Sequence, residues 1–441
     1  MKRSLFAFVL FCTFSLTAQY SISGTFTPAK NYRWLIVYLL KAGEQAYTAD
    51  TAIKDGKFSL SLPAHSAPGT YRLVYAVPQE EFYFDVIYSG KEDIQLKFDA
   101  EKGVSFTASK ENRIFNAYFR QINAAKQAFI DFYQAGKTDK DAFERLSERL
   151  RTVQEGYEKE SAGLLAHNFI AANRPYIPSE YETGQIYWQH KKDQYFRHLD
   201  LTDPILQGSA FLKDKLTNYI FTAILNENRS QEETENLLCQ NVDKVASELK
   251  DTEESYRFHI FHSLHNTAMA GRFNVTADYI LDTYMRPLAQ VTGNQKTIDQ
   301  LEIQHRLQIG SIPPDIIWKD DNVTKRLSEM DGAECYVLIF WSSTCSHCLH
   351  QLPPLHEELK KFPDVKVLAI GLEDGKKSWE KESAKLPGFV HVLGLDHWDN
   401  RYAELYEIRR TPTFFVLDSD KRIIAKPKSD KELLTFLNEG T

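Results

Sequence analysis

Over the first hundred residues, apolar and polar positions alternate with a period of two. Ile22, Gly24 and Phe26 are separated by polar residues, and Trp34 to Leu40 is a β-branched and aromatic run. Phe58, Leu60 and Leu62 repeat the period just after an Asp55-Gly56 turn. Tyr71 to Val77, Phe82 to Tyr88 and Ile94 to Phe98 continue the series, with Gly69 and Gly90 in the turns. Alternation of this kind buries one face of each strand, so residues 19–108 are expected to form a small antiparallel β-sandwich. This stretch holds no cysteine, and His65 stands alone in a Pro/Ser/Ala turn, so it reads as a structural or partner-docking module.

From residue 109 to 305 the period lengthens to that of a helix. Ile114, Tyr118, Ile122 and Phe129 share one face, as do Phe143, Leu146, Leu150 and Val153. Ser230 followed by Glu233 has the spacing of a capping box opening a helix through Leu237, Val242 and Leu249. Tyr256 to Met269 and Ala277 to Leu288 are further helical stretches. His259, His262 and His265 recur every third residue, a spacing that suits packing or surface positions better than a metal site, since no acid or cysteine stands beside them. Cys239 falls on an apolar helix face and reads as a small buried residue.

Residues 306–441 alternate strand and helix patterns. Cys335 to Trp341 is almost continuously apolar, as a strand buried on both faces would be. Helical spacing follows at Leu349, Leu352, Leu355, Leu359 and Phe362. Strands are expected at Val365 to Leu372, Val390 to Leu395, Thr413 to Leu417 and Arg422 to Ala425, with a helix over Trp379 to Leu386. The fold class expected is therefore multidomain: an N-terminal β-sandwich, an α-helical middle domain and a C-terminal α/β domain.

The N-terminus adds an address. Lys2 and Arg3 precede a nearly pure apolar stretch, Leu5 to Leu16, and Leu16-Thr17-Ala18 supplies a small residue before Gln19. That is the pattern of a signal peptide over residues 1–18, too short for a full membrane helix. Cys12 follows the bulky Phe11 inside the apolar stretch, which argues against lipidation. No later segment reaches 18 apolar residues, so the mature chain is expected to carry no transmembrane segment and to work in the periplasm or cell envelope. The formal charge of −7 over 441 residues argues against nucleic acid as a partner.

Chemistry concentrates in one octapeptide, Trp341-Ser342-Ser343-Thr344-Cys345-Ser346-His347-Cys348. A CxxC at the start of a helix puts its first sulfur beside unsatisfied N–H groups and the positive end of the helix dipole, which favours the thiolate. Cys345 is therefore expected to be the attacking thiolate. Cys348, one turn inward, is expected to be shielded and to resolve the mixed disulfide. His347, between them, has the chemistry to stabilise the thiolate further.

In this context the segment resembles the TlpA/ResA type of thioredoxin-fold domain, the extracytoplasmic thiol–disulfide oxidoreductases. The likeness covers about 130 residues and rests on Phe340-Trp341, the CxxC, Pro353 and Arg410-Thr411-Pro412-Thr413-Phe414. It implies a redox-active disulfide Cys345–Cys348, a cis Pro412, and a ledge of Thr411 and Pro412 that offers main-chain hydrogen bonds to an extended client. Trp341, Ser346 and His347 are expected to tune the pair or touch the client. No bound cofactor or metal is implied. The partners implied are protein thiols or disulfides and a membrane electron donor or acceptor. The whole layout also resembles multidomain proteins of Bacteroidetes-type bacteria, with Leu201 to Pro204 as their Leu-Thr-Asp-Pro-like stretch.

Three departures bear on mechanism. Thioredoxins proper place a buried aspartate where this chain has Ile339, and many TlpA/ResA-like proteins place a glutamate where it has Gln351. The proton-shuttle role is thus unassigned, with His347 and His350 as its candidates. Ser346-His347 replaces the familiar Gly-Pro, and a histidine there resembles oxidising members of the superfamily, which leaves redox direction open; reduction of clients, in disulfide repair or cytochrome maturation, is the expectation. Three rival readings stand beside this one. A metal-handling site would use Cys345, Cys348, His347 and His350. A thiol peroxidase would need a threonine where Ser342 stands. A docking or scaffold protein would use its redox domain only secondarily. Haem attachment is excluded by Leu349, where a histidine would be required.

Overall fold

The computed structural model describes residues 20–222, 229–320 and 323–439. The expected signal peptide, with Cys12, lies outside the described residues. The chain divides into two compact units, residues 1–292 and 293–441. The β-rich and the helical regions both belong to the first unit, and the helix Gln295–Arg306 belongs to the second.

The first unit opens with eight strands: β1 (Ser21–Thr27), β2 (Trp34–Lys41), β3 (Glu44–Ala52), β4 (Lys57–Ser61), β5 (Gly69–Val74), β6 (Tyr83–Tyr88), β7 (Ile94–Asp99) and β8 (Gly103–Ala108). They form two four-stranded sheets, β4-β1-β7-β8 and β3-β2-β5-β6. Ile22, Phe26, Phe58 and Leu96 from one sheet share a core with Leu35, Val37, Leu73 and Val86 from the other. The sandwich is not wholly antiparallel, which corrects the sequence expectation. β1 and β7 run parallel, with Ile22 opposite Ile94 and Phe26 opposite Phe98. A parallel pair needs a long crossover, and the excursion through β2 to β6 supplies it.

Helices follow, beginning with Lys110–Gln134 and Lys140–Glu160, which pack on one another through the faces read from the sequence. Ser230 caps the helix Gln231–Glu248 through the Glu233 amide, while the Glu233 carboxylate accepts from the Ser230 amide. His262 lies in the helix Glu254–Ala270, where burial, then His265 and His259, hold its pKa below the usual imidazole range.

Two buried glutamates tie helices together. Glu111 accepts from the Leu165 and Ala166 amides, at 3.0 and 2.8 Å, where the helix Ala166–Ala172 begins. Glu235 does the same for the Thr276 amide and hydroxyl, at 2.8 and 3.2 Å. Helix N-termini leave donors without intrahelical partners, and a carboxylate brought from another helix satisfies them.

In the second unit β9 (Ile317–Asp320) and β10 (Val323–Arg326) form a short hairpin. Beyond it lies a five-stranded sheet, β13-β12-β11-β14-β15. Its strands are β11 (Cys335–Trp341), β12 (Val365–Glu373), β13 (Val390–Leu395), β14 (Thr413–Asp418) and β15 (Ile423–Ala425). β11 is central, parallel to β12 and antiparallel to β14. Every residue of β11 is buried, and its alternation divides them between two cores. Tyr336, Leu338 and Phe340 pack with Ile370, Tyr406 and Phe415; Val337, Ile339 and Trp341 pack with Cys348, Leu352 and Leu433. The strand is thereby fixed from both sides, and its last residue delivers the chain to the CxxC.

Replacing Glu111 by alanine would strand the donors at residues 165 and 166 in the interior. The expected result is a loss of about 2 kcal/mol in the unfolding transition of the first unit, with Glu111→Gln losing less. Denaturant melts of the three proteins, followed by far-UV circular dichroism, would measure it. Equal stability would show that the carboxylate contributes nothing there.

Candidate active site: the Cys345–Cys348 pair

β11 ends at Trp341, and Ser342, Ser343 and Thr344 lead directly into the helix Ser346–Leu359. Cys345 is the N-cap of that helix. Its sulfur accepts from the Cys348 amide at 3.4 Å and faces the Thr411 carbonyl at the same distance. Burial works against the Cys345 thiolate, but Thr411, the Cys348 thiol and the amides of Cys348 and His347 outweigh it. The Cys345 pKa therefore lies below the ordinary thiol value. Cys348 is 0% exposed, and both thiols are free. Burial, then the neighbouring Cys345, push the Cys348 thiol up to about 12, with the Ser342 amide and Thr411 acting in the opposite direction.

The two sulfurs therefore differ in character although they stand three residues apart. One is partly exposed and ionises readily; the other is enclosed and holds its proton. Cys335 is enclosed as well, raised to about 11 by burial and then by Asp418, at the opposite end of β11 from the pair.

Thr411 and Pro412 stand against the pair, joined by a cis peptide bond. Trp341 is 1% exposed and, with Leu352 and Pro353, lines the enclosed side of Cys348. Ser346 and His347 are exposed in the first turn of the helix. His350 is also exposed. Ile339 packs in the apolar core beneath the pair, and Gln351 is half-buried.

One residue that the sequence reading passed over is central here. Glu373, the last residue of β12, is 1% exposed. Its carboxylate accepts from the Ser343 amide and from the Ser343 hydroxyl at 2.8 Å, and the Ser342 hydroxyl lies 3.5 Å away. The Trp379 indole covers this corner, lying so close over Gly371 that a Cβ there would come within 2.4 Å of it. A sign of the site was present in the sequence. An acid directly follows the apolar run of a strand whose C-terminal end lies beside that of β11, where Trp341 pairs with Gly371.

A thioredoxin-like family model matches residues 332–423. No curated protein is significantly similar to the chain in sequence. Among solved structures, a domain of a possible thiol-disulfide isomerase from Cytophaga hutchinsonii is 28% identical. The likeness covers 30% of this chain and 92% of that one, with a TM-score of 0.27. The thioredoxin domain of a thiol-disulfide oxidoreductase from Bacteroides vulgatus is 22% identical over 30% of this chain and 97% of its own, with a TM-score of 0.27. A thioredoxin-like protein from Bacteroides caccae is 16% identical, covering 52% of this chain and 92% of its own, with a TM-score of 0.32. The matched residues include the central strand β11, the helix capped by Cys345 and the cis Thr411-Pro412 step. By that match, residues 332–423 of the C-terminal unit are thioredoxin-like.

Proposed function

We propose that the protein is an extracytoplasmic thiol–disulfide oxidoreductase that reduces disulfides in protein clients through Cys345 and Cys348. The observation that carries this reading is the asymmetry of the pair: an N-capping thiol with a lowered pKa, three residues from an enclosed thiol raised to about 12. In the forward direction the Cys345 thiolate attacks one sulfur of a client disulfide. A Cys345–client bond forms, and the other client sulfur leaves as a thiolate and takes up a proton. Cys348 then gives up its proton and attacks the Cys345 sulfur. The Cys345–client bond breaks, the Cys345–Cys348 disulfide forms, and two electrons have passed to the client. Thr411 and Pro412 form the ledge that holds the client strand, with His347 and Ser346 at its rim. A membrane electron donor restores the dithiol. The extracytoplasmic location rests on the leader pattern of residues 1–18, and among the described residues no helix is long and apolar enough to cross a membrane.

Cys345→Ser is expected to abolish reduction of insulin disulfides, and Cys348→Ser to accumulate mixed disulfides with clients, recoverable from cell envelopes on non-reducing gels. Absence of any trapped partner would remove the support for this function. The reduction potential, measured by equilibration in graded glutathione buffers, gives the direction. A value near −270 mV fits a reductant, and one near −120 mV would reassign the protein to the oxidation of clients.

Alkylation should separate the thiols. With the dithiol form at pH 8, iodoacetamide is expected to modify Cys345 first and to leave Cys348 and Cys335 almost untouched, because their thiolate fractions are far smaller. Peptide mapping by mass spectrometry after timed quenching checks this, and comparable labelling of Cys345 and Cys348 would contradict the assigned roles.

A further inference from the structure

In the first unit, where the turn between β2 and β3 meets the helices, there is a recess of about 210 Å³, with room for about seven waters by liquid volume. The turn is pressed against its neighbours. Gly43 has a φ of +79°, and a Cβ there would come within 2.2 Å of the His259 ring in the helix Glu254–Ala270. A Cβ on Gly208, which ends the short helix Pro204–Gln207, would come within 2.9 Å of the Leu40 carbonyl oxygen. Glycine at both points lets three segments of the chain close around the recess. Arg72 and Tyr256 line it and are 9% and 3% exposed. Arg72 donates through Nε and Nη2 to Asp85, at 2.8 and 2.9 Å, and stacks 3.6 Å over the Tyr83 ring. That fixes the guanidinium and leaves Nη1 without a partner among the described residues. The Tyr256 hydroxyl has none there either.

Lys41 and Lys213 also line the recess, neither of them in an ion pair among the described residues, and Glu44 is the one acid in the lining. The Gln207 amide and the Ser209 hydroxyl already donate to the Leu201 and Leu206 carbonyls, at 2.7 and 2.6 Å. Uncommitted donors and cations therefore outnumber acceptors and acids, which is the composition that receives an anion. Leu40, Ala210 and Ile260 add apolar wall, which an inorganic ion would leave uncovered. We propose that this recess binds a small organic acid: its carboxylate meets Arg72, Tyr256 and the two lysines, and a short apolar body packs on Leu40, Ala210 and Ile260. Every residue of the site belongs to the first unit, so it stands apart from the Cys345–Cys348 chemistry and does not depend on it. It also gives a ligand to a part of the chain in which the sequence showed only structure.

The test is calorimetric titration of the full-length protein with sodium hexanoate, sodium benzoate and inorganic phosphate. Both carboxylates are expected to bind with dissociation constants below about 1 mM, and phosphate about tenfold more weakly or worse. Added sodium chloride should weaken the carboxylates, since part of the attraction comes from the lysines at the recess. Tyr256→Phe is expected to weaken both about tenfold, the loss of one hydrogen bond to a charged acceptor. It should leave the melting temperature where it was, because the hydroxyl has no partner within the described protein. Lys213→Ala, a change at a half-buried position, should weaken both by a similar factor. Three results would overturn the proposal: no heat from either carboxylate up to about 10 mM, phosphate binding as tightly as they do, or unchanged affinity in both variants. None of them bears on the redox pair, whose trapping and alkylation experiments read other residues.

Discussion

The first turn of the helix Ser346–Leu359 presents amide donors that no residue of the helix can receive, and the sulfur of Cys345 stands where a capping oxygen usually would. A sulfur in that place is better satisfied as a thiolate than as a thiol, because the charged form accepts more strongly and meets the positive end of the helix dipole. The same turn carries Cys348 inward, against Trp341 and Leu352, where the charged form loses its water. One structural element thus produces opposite behaviour in two identical side chains. What the rest of the second unit supplies is rigidity. β11, buried along its whole length, aims the loop, and Thr411 from the far side closes on the sulfur.

The degree to which this was legible in the sequence follows from the range of the interactions involved. β11, β12 and β14 were readable because strands buried on both faces are written as continuous apolar runs. The helix Lys110–Gln134 was readable from its one-sided spacing. β3 was not, because its residues are exposed or half-buried, and β8 and the β9–β10 hairpin failed for the same reason. The parallel pairing of β1 with β7 was hidden for a different cause. Strand order depends on contacts across some seventy residues, and the hydrophobic period is the same whichever direction a neighbour runs.

The site divides along similar lines. A CxxC and a Thr-Pro step are legible because their chemistry is rare and local, so Cys345, Cys348, Thr411 and Pro412 could be named before any coordinates. Trp341, named from the sequence as a tuning or client-touching residue, is buried on the enclosed side of Cys348. Glu373 could not be read, since its partners are main-chain and hydroxyl groups thirty residues away, and no spacing rule links a strand end to a neighbouring loop.

The apolar Ile339 clarifies why an acid at Glu373 is physically reasonable. An aspartate at 339 would project into the core formed by Val337, Leu355 and Leu433, where the only relief from desolvation would come from the thiol itself. At the end of β12 a carboxylate meets the amide and hydroxyl groups of an exposed-to-buried loop, which can compensate the charge with hydrogen bonds already required by that loop. An acid at the C-terminal end of β12 leaves the core around Cys348 apolar while its carboxylate anchors the Ser342–Ser343 segment ahead of the pair. Ser342 and Ser343 make that connection: the carboxylate holds the Ser343 amide and hydroxyl, and the Ser342 carbonyl takes the Cys345 amide.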